Sequence, residues 1–95
     1  MKLRFTRRSL RDLEEVRAYI GLQDPHAANR VIARIGEAIE SLTRHPQRGR
    51  PGRIIGTREL VISGTPYIVP YRITGDSIEI LAVMHGARLW PRSAG

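Results

Sequence analysis

The spacing of apolar residues changes its period near the middle of this 95-residue chain, and that change most restricts the fold. In the first half, apolar residues recur every three or four positions, which is the repeat of a helix with one buried face. From residue 57 onward they alternate with polar residues in three short runs, which is the repeat of strands. The pattern predicts one α+β domain over residues 1–95, with helices packed on one face of a sheet.

The first half predicts two helices. The first spans about residues 7–21, with Thr6 in the position of an N-terminal cap. The second spans about residues 25–44, with Asp24 as its cap and Pro25 in its first position. Only two to four residues join the helices, so we expect them to form an antiparallel hairpin.

The strands surround this hairpin in sequence. A short alternating run at residues 2–5 predicts a first strand. The segment 46–56 is rich in proline and glycine and predicts a loop without regular structure. After it, the runs 57–62, 67–73 and 77–85 are separated by the tight-turn sequences SGTP and TGD and predict an antiparallel meander. The sheet should therefore have three to four mostly antiparallel strands.

Two residues have conformational preferences that oppose the element around them. Gly36 lies inside the second helix, where glycine costs about 1 kcal/mol relative to alanine. We expect it to permit a close crossing with the backbone of the first helix. Pro70 lies in the middle strand of the meander, although it has no N–H to donate. We therefore predict a bulge or a local break in pairing at Pro70.

Charge is the strongest bias in the composition. The chain has 16 Lys and Arg against 9 Asp and Glu, a formal net charge of +7, and all but one of the cations are Arg. Such an excess attracts polyanions and acidic proteins. The absence of cysteine excludes disulfides and thiolate metal sites, and the three histidines lack ligand spacing. We expect no metal and no cofactor.

The apolar runs are too short for a membrane. The longest, IEILAVM, contains a glutamate and is far below the roughly 20 residues that a bilayer requires. The basic N-terminal residues precede no apolar segment, so we see no secretory signal. These observations predict a cytoplasmic protein with no membrane partner.

Three blocks of sequence, in this order and at this chain length, resemble the RelE/ParE family of toxins from type II toxin–antitoxin modules. The blocks are RRSLRDLEEVRAYI, DPHAANRVIARIGEAIESLTRHPQRGRPGR and GTRELVISGTPYIVPYRITGDSIEILAVMHGARLWP. Within them, GRPGR, GTRELV, PYIVPYR and ILAVMHGAR are similar to the ParE-type branch. The resemblance implies the same α+β fold in a bacterial or archaeal toxin that a small antitoxin neutralises.

The resemblance leaves the target open, because RelE-like members cut mRNA in the ribosomal A site and ParE-like members inhibit DNA gyrase. In the nuclease alternative, His85 would be the general acid or base. The phosphate would be held by three arginines, Arg58, Arg72 and Arg88. However, Ile68 stands where many nuclease members have arginine, and no second acid or base accompanies His85. We therefore prefer a ParE-like inhibitor of DNA gyrase that acts by binding.

The C-terminal sequence HGARLWP is predicted to be a contact surface, with Arg88 as its most sensitive residue. The full set of candidate partner-binding residues is Arg58, Arg72, His85, Arg88 and Trp90. His85 has a plainer interpretation as a strand-end residue bonded to a neighbouring carbonyl. A small acidic antitoxin is expected on the sheet face opposite the helices or in the groove between sheet and hairpin. A third alternative is a folded antitoxin partner with little remaining toxicity.

Two further groups of side chains have structural interpretations. Arg48, Arg50 and Arg53 are expected to be solvated charges on a connecting loop, because no aromatic residues lie among them to stack on bases. Tyr67 and Tyr71 share one face of their strand. We expect them to pack in the core, with their hydroxyls reaching its rim.

Overall fold

The computed structural model describes residues 1–86 and shows a helical hairpin packed on a six-stranded sheet. The elements in chain order are β1 Lys2–Phe5, α1 Arg7–Gly21, α2 Pro25–Ser41, β2 Arg50–Pro51, β3 Arg58–Val61, β4 Tyr67–Thr74, β5 Ser77–Ile80 and β6 Met84–His85. The strand order is β1-β5-β4-β3-β2, and β6 pairs with the opposite end of β4 from β5. Only β1 and β5 run parallel among these pairs. The predicted α+β architecture is confirmed.

Both helices begin at the predicted caps. The Thr6 hydroxyl accepts the N–H of Ser9 at 3.1 Å, and the Asp24 carboxylate accepts the N–H groups of His26 and Ala27 at 3.0 Å each. Each cap thereby satisfies donors that have no partner inside the helix. α2 ends three residues earlier than predicted, because residues 42–44 donate to carbonyls only three positions back.

The core lies between the hairpin and the central strands. Ile35 and Ile39 of α2 are almost fully buried against β4, where Val69 and Tyr71 have no exposed surface. Burial of an aliphatic side chain of this size stabilises the fold by about 1.5–3 kcal/mol. Tyr71 therefore packs as predicted, and it anchors the sheet directly beneath the second helix.

Gly36 does not permit a close helix crossing, and that prediction is wrong. It is exposed, and no atom lies within 4 Å of the position that a Cβ would occupy. The reason is its place one residue beyond Ile35, which turns it away from the buried face of α2. The hairpin instead closes at its turn, where Ala28 is buried and its Cβ lies 3.9 Å from the Cβ position of Gly21.

The predicted bulge at Pro70 is present, and it divides the run 77–85 into β5 and β6. Between these strands, residues 81–83 lie opposite only two residues of β4. Leu81 donates its N–H to the Pro70 carbonyl at 2.9 Å, but proline has no N–H to return the bond. The free carbonyl of Leu81 accepts the Thr6 hydroxyl at 3.1 Å, which ties the start of α1 to the bulge.

Candidate functional site

The candidate site residues within the described range lie in three separate places. Arg58 pairs with Tyr71 and His85 pairs with Tyr67, so their partners are four positions apart along β4, about 13 Å at about 3.3 Å per residue. Arg72 directly follows Tyr71 and therefore lies on the opposite face of the sheet. The nuclease alternative requires these three side chains to converge on one phosphate, and they do not. Arg88 and Trp90 lie outside the described residues.

Arg58 holds the segment before β3 through two main-chain carbonyls. Its Nη1 donates to the Gly49 carbonyl at 2.6 Å and to the Gln47 carbonyl at 3.3 Å. Beside it, the Tyr71 hydroxyl donates to the Pro46 carbonyl at 2.7 Å and accepts the Gly49 N–H at 2.9 Å. Burial raises the pKa of Tyr71. The hydrogen bond from Gly49 and the charge of Arg58 lower the pKa, but their effect is smaller than that of burial. The hydroxyl reaches the rim of the core, as predicted.

Arg72 takes part in an exposed cationic stripe on the sheet face opposite the helices. Its Nε lies 2.6 Å from Oε1 of Glu79, which stands directly across from it on β5. The register places Arg4 of β1 on the other side of Glu79. Lys2 lies on the same face by alternation, so the stripe has three cations and one carboxylate. An exposed pair of this kind contributes little to stability.

His85 lies at the end of a groove between α1 and the sheet. Its ring meets Tyr67 edge to face, with centroids 5.9 Å apart and planes at 74°. The groove has a volume of about 350 Å³ and is lined by Asp12, Glu15, Val16, Tyr19, Tyr67, Val83, Met84 and His85. Asp12 of α1 accepts the Val83 N–H at 3.0 Å, and this bond joins the helix side of the groove to the sheet side. Two carboxylates in this groove make it unsuitable for an acidic partner segment.

The residues that α1 contributes to this groove were not among the candidates predicted from the sequence. Asp12, Glu15 and Tyr19 are spaced three and four apart, so the sequence does place them on one helix face. The sequence does not show that this face borders the end of β4. That proximity depends on how the whole hairpin sits on the sheet.

A second groove, between α2 and β3, has a cationic lining. It consists of two hollows of about 290 and 160 Å³, and Arg34 lines both of them. Arg30 lines the smaller hollow and Arg48 the larger. Arg34 donates to the Ser63 carbonyl at 3.1 Å and Arg48 donates to the Ser41 hydroxyl at 3.0 Å, so both guanidinium groups are held in place.

The strand that borders this groove has a partly open edge. β2 pairs only with Arg58 and Glu59, and within residues 1–86 no other strand covers that side of β3. Ile62 donates its N–H to the Tyr67 carbonyl of β4, so alternation turns the N–H and carbonyl of Val61 outward. The Val61 side chain is about half exposed. An open strand edge of this kind can pair with an added strand.

The loop before β3 is more ordered than its composition predicted, since it contains β2. Arg50 and Arg53 are not simply solvated, which corrects the prediction for them. Their guanidinium nitrogens lie 3.2 and 3.5 Å from the carboxylate of Glu59, which is only 1% exposed. The Arg53 N–H also donates to that carboxylate at 3.1 Å. A buried charge is tolerated when it is paired and hydrogen-bonded in this way.

Across residues 1–86, no group of three or more His, Asp and Glu side chains is arranged to hold a metal ion. In the same range, neither helix combines the length and apolar character needed to span a bilayer.

Residues 3–90 match the model of a family described as the ParE toxin of the type II toxin–antitoxin system parDE. A protein of Sinorhizobium fredii that carries the name toxin Y4kP is 55% identical over 91 residues, covering 96% of this chain and 94% of that protein. Toxin RelE2 of Caulobacter vibrioides is 39% identical over 85 residues, covering 90% of this chain and 94% of that protein. The similarity thus extends over nearly the full length of each relative.

Solved structures give the same assignment of fold. A chain of the chromosomal ParDE TA system from P. aeruginosa superposes with a TM-score of 0.82 at 27% identity, covering 90% of this chain and 95% of that one. A chain of the toxin–antitoxin complex RelBE2 from Mycobacterium tuberculosis gives a TM-score of 0.64 at 30% identity, covering 88% and 95%. Both ParE and RelE names occur among the matches, so similarity alone does not choose between binding and cleavage.

Proposed function

Since the chain belongs to the ParE toxin family of type II toxin–antitoxin systems, we propose that it is a toxin that inhibits DNA gyrase by binding it in the cytoplasm. The choice of gyrase rests on the ParE-type similarity, because inhibition of gyrase is what that similarity implies. The choice of binding over cleavage rests on one observation, the separation of Arg58, Arg72 and His85 in the fold.

RNA cleavage through the 2′-hydroxyl needs an acid, a base and cations that act together within hydrogen-bond reach of one phosphate. In this chain Arg58 is engaged by loop carbonyls, and Arg72 is paired with Glu79 on the other face. His85 lies beside Tyr67 at the far end of β4. This arrangement favours a protein that acts through its surface.

We further propose that a small acidic antitoxin neutralises the chain by binding in the groove between α2 and β3. That groove offers Arg30, Arg34 and Arg48 to carboxylates and the open edge of Val61 to an extended segment. The groove beside α1 would repel the same segment through Glu15. The net charge of +7 would speed encounter with an acidic partner.

Two assays run side by side test the mode of action. Purified protein should inhibit supercoiling by gyrase and should leave ribosome-bound mRNA intact, and His85→Ala should inhibit as the wild type does. Cleavage in the A site by the wild type, lost in His85→Ala, would reverse the assignment to the nuclease alternative. Normal growth of cells that express the chain alone would instead support the third alternative, a partner without toxicity.

The antitoxin proposal has its own test. Co-expression with the product of the adjacent small gene should yield a complex that survives purification, with an association rate that falls as salt rises. Arg34→Glu should weaken the complex, and Arg72→Glu on the opposite sheet face serves as the matched control. Equal effects of the two variants would remove the groove from the proposal.

A further inference from the structure

The loop between β2 and β3, residues 52–57, presents an apolar side chain at its tip. Ile55 is fully exposed, at 100%. Arg53 lies two residues before it and Arg50 in the adjoining strand, and their side chains are 40% and 55% exposed. A single exposed aliphatic residue is common on protein surfaces and needs no explanation. Ile55 differs from such residues because hydrogen bonds hold the loop around it in place.

Hydrogen bonds close the loop from within. Gly52 donates its N–H to the Thr57 carbonyl at 2.8 Å. The N–H and hydroxyl of Thr57 both donate to the Ile54 carbonyl, at 3.1 and 2.6 Å. Gly56 takes a φ of +84°, a conformation that side chains disfavour, and a Cβ at Gly52 would collide with the Thr57 hydroxyl. These bonds restrain the conformation of the loop.

The base of the loop is fixed to the sheet by the carboxylate of Glu59. That carboxylate accepts the Arg53 N–H and meets the guanidinium groups of Arg50 and Arg53 on its two oxygens. Because the carboxylate is buried, movement of the loop would leave a buried charge without its partners, which is costly. The fold thus orders a protruding loop whose tip makes no contribution to the core.

We propose that residues 52–57 are the surface by which this chain contacts its protein target, with Ile55 inserted into an apolar pocket that has carboxylates at its rim. This inference rests on the proposed function, since it requires a target that is bound rather than cleaved. The apolar tip supplies buried area, and the half-exposed guanidinium groups of Arg50 and Arg53 lie where they meet acidic groups around it. Because the loop is ordered in advance, binding costs little conformational entropy.

The shape of the loop favours a folded target over the antitoxin. A protruding loop requires a concave surface, and clefts are a property of folded partners. An extended or helical antitoxin segment has no such cleft and requires a groove on this chain, which the α2–β3 surface provides. The loop also differs from a nucleic-acid site, because residues 52–57 include no aromatic side chain that could stack on a base.

The proposal is tested with purified gyrase holoenzyme and three variants of the full chain. Ile55→Asp removes the apolar tip and places a negative charge against the acidic rim, and it should reduce inhibition of supercoiling by about tenfold or more. Ile55→Leu keeps an apolar tip and should inhibit as the wild type does. Leu22→Asp changes another aliphatic residue, 85% exposed beyond the end of α1, and serves as the matched control. Thermal unfolding confirms that all variants fold.

The outcomes separate this inference from the proposed function. If Ile55→Asp inhibits gyrase as the wild type does, or if Leu22→Asp loses as much inhibition, the loop is not the contact surface although the function stands. Loss of antitoxin binding or of duplex DNA binding by Ile55→Asp, with gyrase inhibition intact, would assign the loop to those partners instead. If the wild type arrests growth without inhibiting gyrase, the proposed target is wrong, and growth arrest by the same variants then decides the inference. A wild type that does neither overturns both.

Discussion

Two carboxylates on the same sheet face differ in what they stabilise. Glu59 on β3 and Glu79 on β5 both point away from the helices, and each stands directly opposite an arginine of a neighbouring strand. The Glu79 side chain remains 30% exposed in its pair with Arg72, whereas that of Glu59 is 1% exposed between Arg50 and Arg53. One pattern of opposite charges therefore has two different structural roles.

The difference comes from what lies over each carboxylate. Water reaches Glu79, so screening keeps its attraction to Arg72 weak even at 2.6 Å. Glu59 also accepts a main-chain N–H, and the chain before β3 folds over it. Loss of the Glu59 carboxylate would remove the acceptor of a partly buried main-chain N–H, which costs more than the loss of an exposed pair. A short distance between charges is thus a poor guide to their importance, and burial is a better one.

The largest expected effect separates the two regions directly. Glu59→Ala removes the acceptor of the Arg53 N–H and both ion pairs, so we expect a loss of about 1.5–3 kcal/mol in the free energy of unfolding. Chemical denaturation measures this loss. Glu59→Gln keeps an oxygen that can accept the N–H and should lie between Glu59→Ala and the wild type. A loss below about 0.5 kcal/mol for Glu59→Ala, the range of ordinary surface substitutions, would remove the distinction.

A smaller effect is expected at Tyr71, which binds residues 46–49 from the helix-facing side of the sheet. These residues begin the segment that leads to β3. Tyr71→Phe removes hydrogen bonds to Pro46 and Gly49, and we expect a loss of about 1 kcal/mol at neutral pH. The pKa of Tyr71 is raised by burial, so the unfolded chain ionises first as pH rises. The stability that the hydroxyl provides is therefore present below pH 10, about the pKa of an unfolded tyrosine, and declines above it.

Chemical denaturation of the wild type and Tyr71→Phe between about pH 8 and 11 measures this pH dependence. Tyrosine begins to ionise within that range. The advantage of the wild type over Tyr71→Phe should be constant up to about pH 10 and should narrow above it. The phenylalanine variant is the internal control, because Tyr19 and Tyr67 are present in both proteins. A difference that widens with pH would show that the ionised form of Tyr71 is the better bonded one.

The elements were predictable from the sequence because their signals are local. The Thr6 and Asp24 caps, the period of the helices and the missing N–H of Pro70 each act within a few residues. The burial of Glu59 was not predictable, since alternation puts it on the face without helices, where exposure is expected. Its cover is the preceding loop, and the glycines and prolines that predicted irregular structure did not show where that loop would fold.

The candidate site was predicted less well for a related reason. Arg58, Arg72 and His85 have the side chains that phosphate chemistry uses, but residue type does not show which groups are already engaged. Arg58 is held by the Gly49 carbonyl and Arg72 by Glu79, each through a partner on another strand or loop. Those contacts depend on register, and a shift of one residue would have turned every side chain to the other face.

The smallest expected effect tests the weak side of the comparison. Glu79→Ala removes the pair with Arg72 and leaves both neighbouring arginines in water, so the free energy of unfolding should change by about 0–1 kcal/mol. The loss of stability in Glu79→Ala should shrink at high salt, because dissolved ions screen the attraction between exposed charges more than that between buried ones. The loss in Glu59→Ala should persist at the same salt concentration, since the bond from the Arg53 N–H is not an ion pair.

Denaturation of both variants at low and high salt measures the contrast. Equal sensitivity to salt would mean that Glu59 acts mainly through long-range charge, and that its burial contributes less than the hydrogen bond suggests.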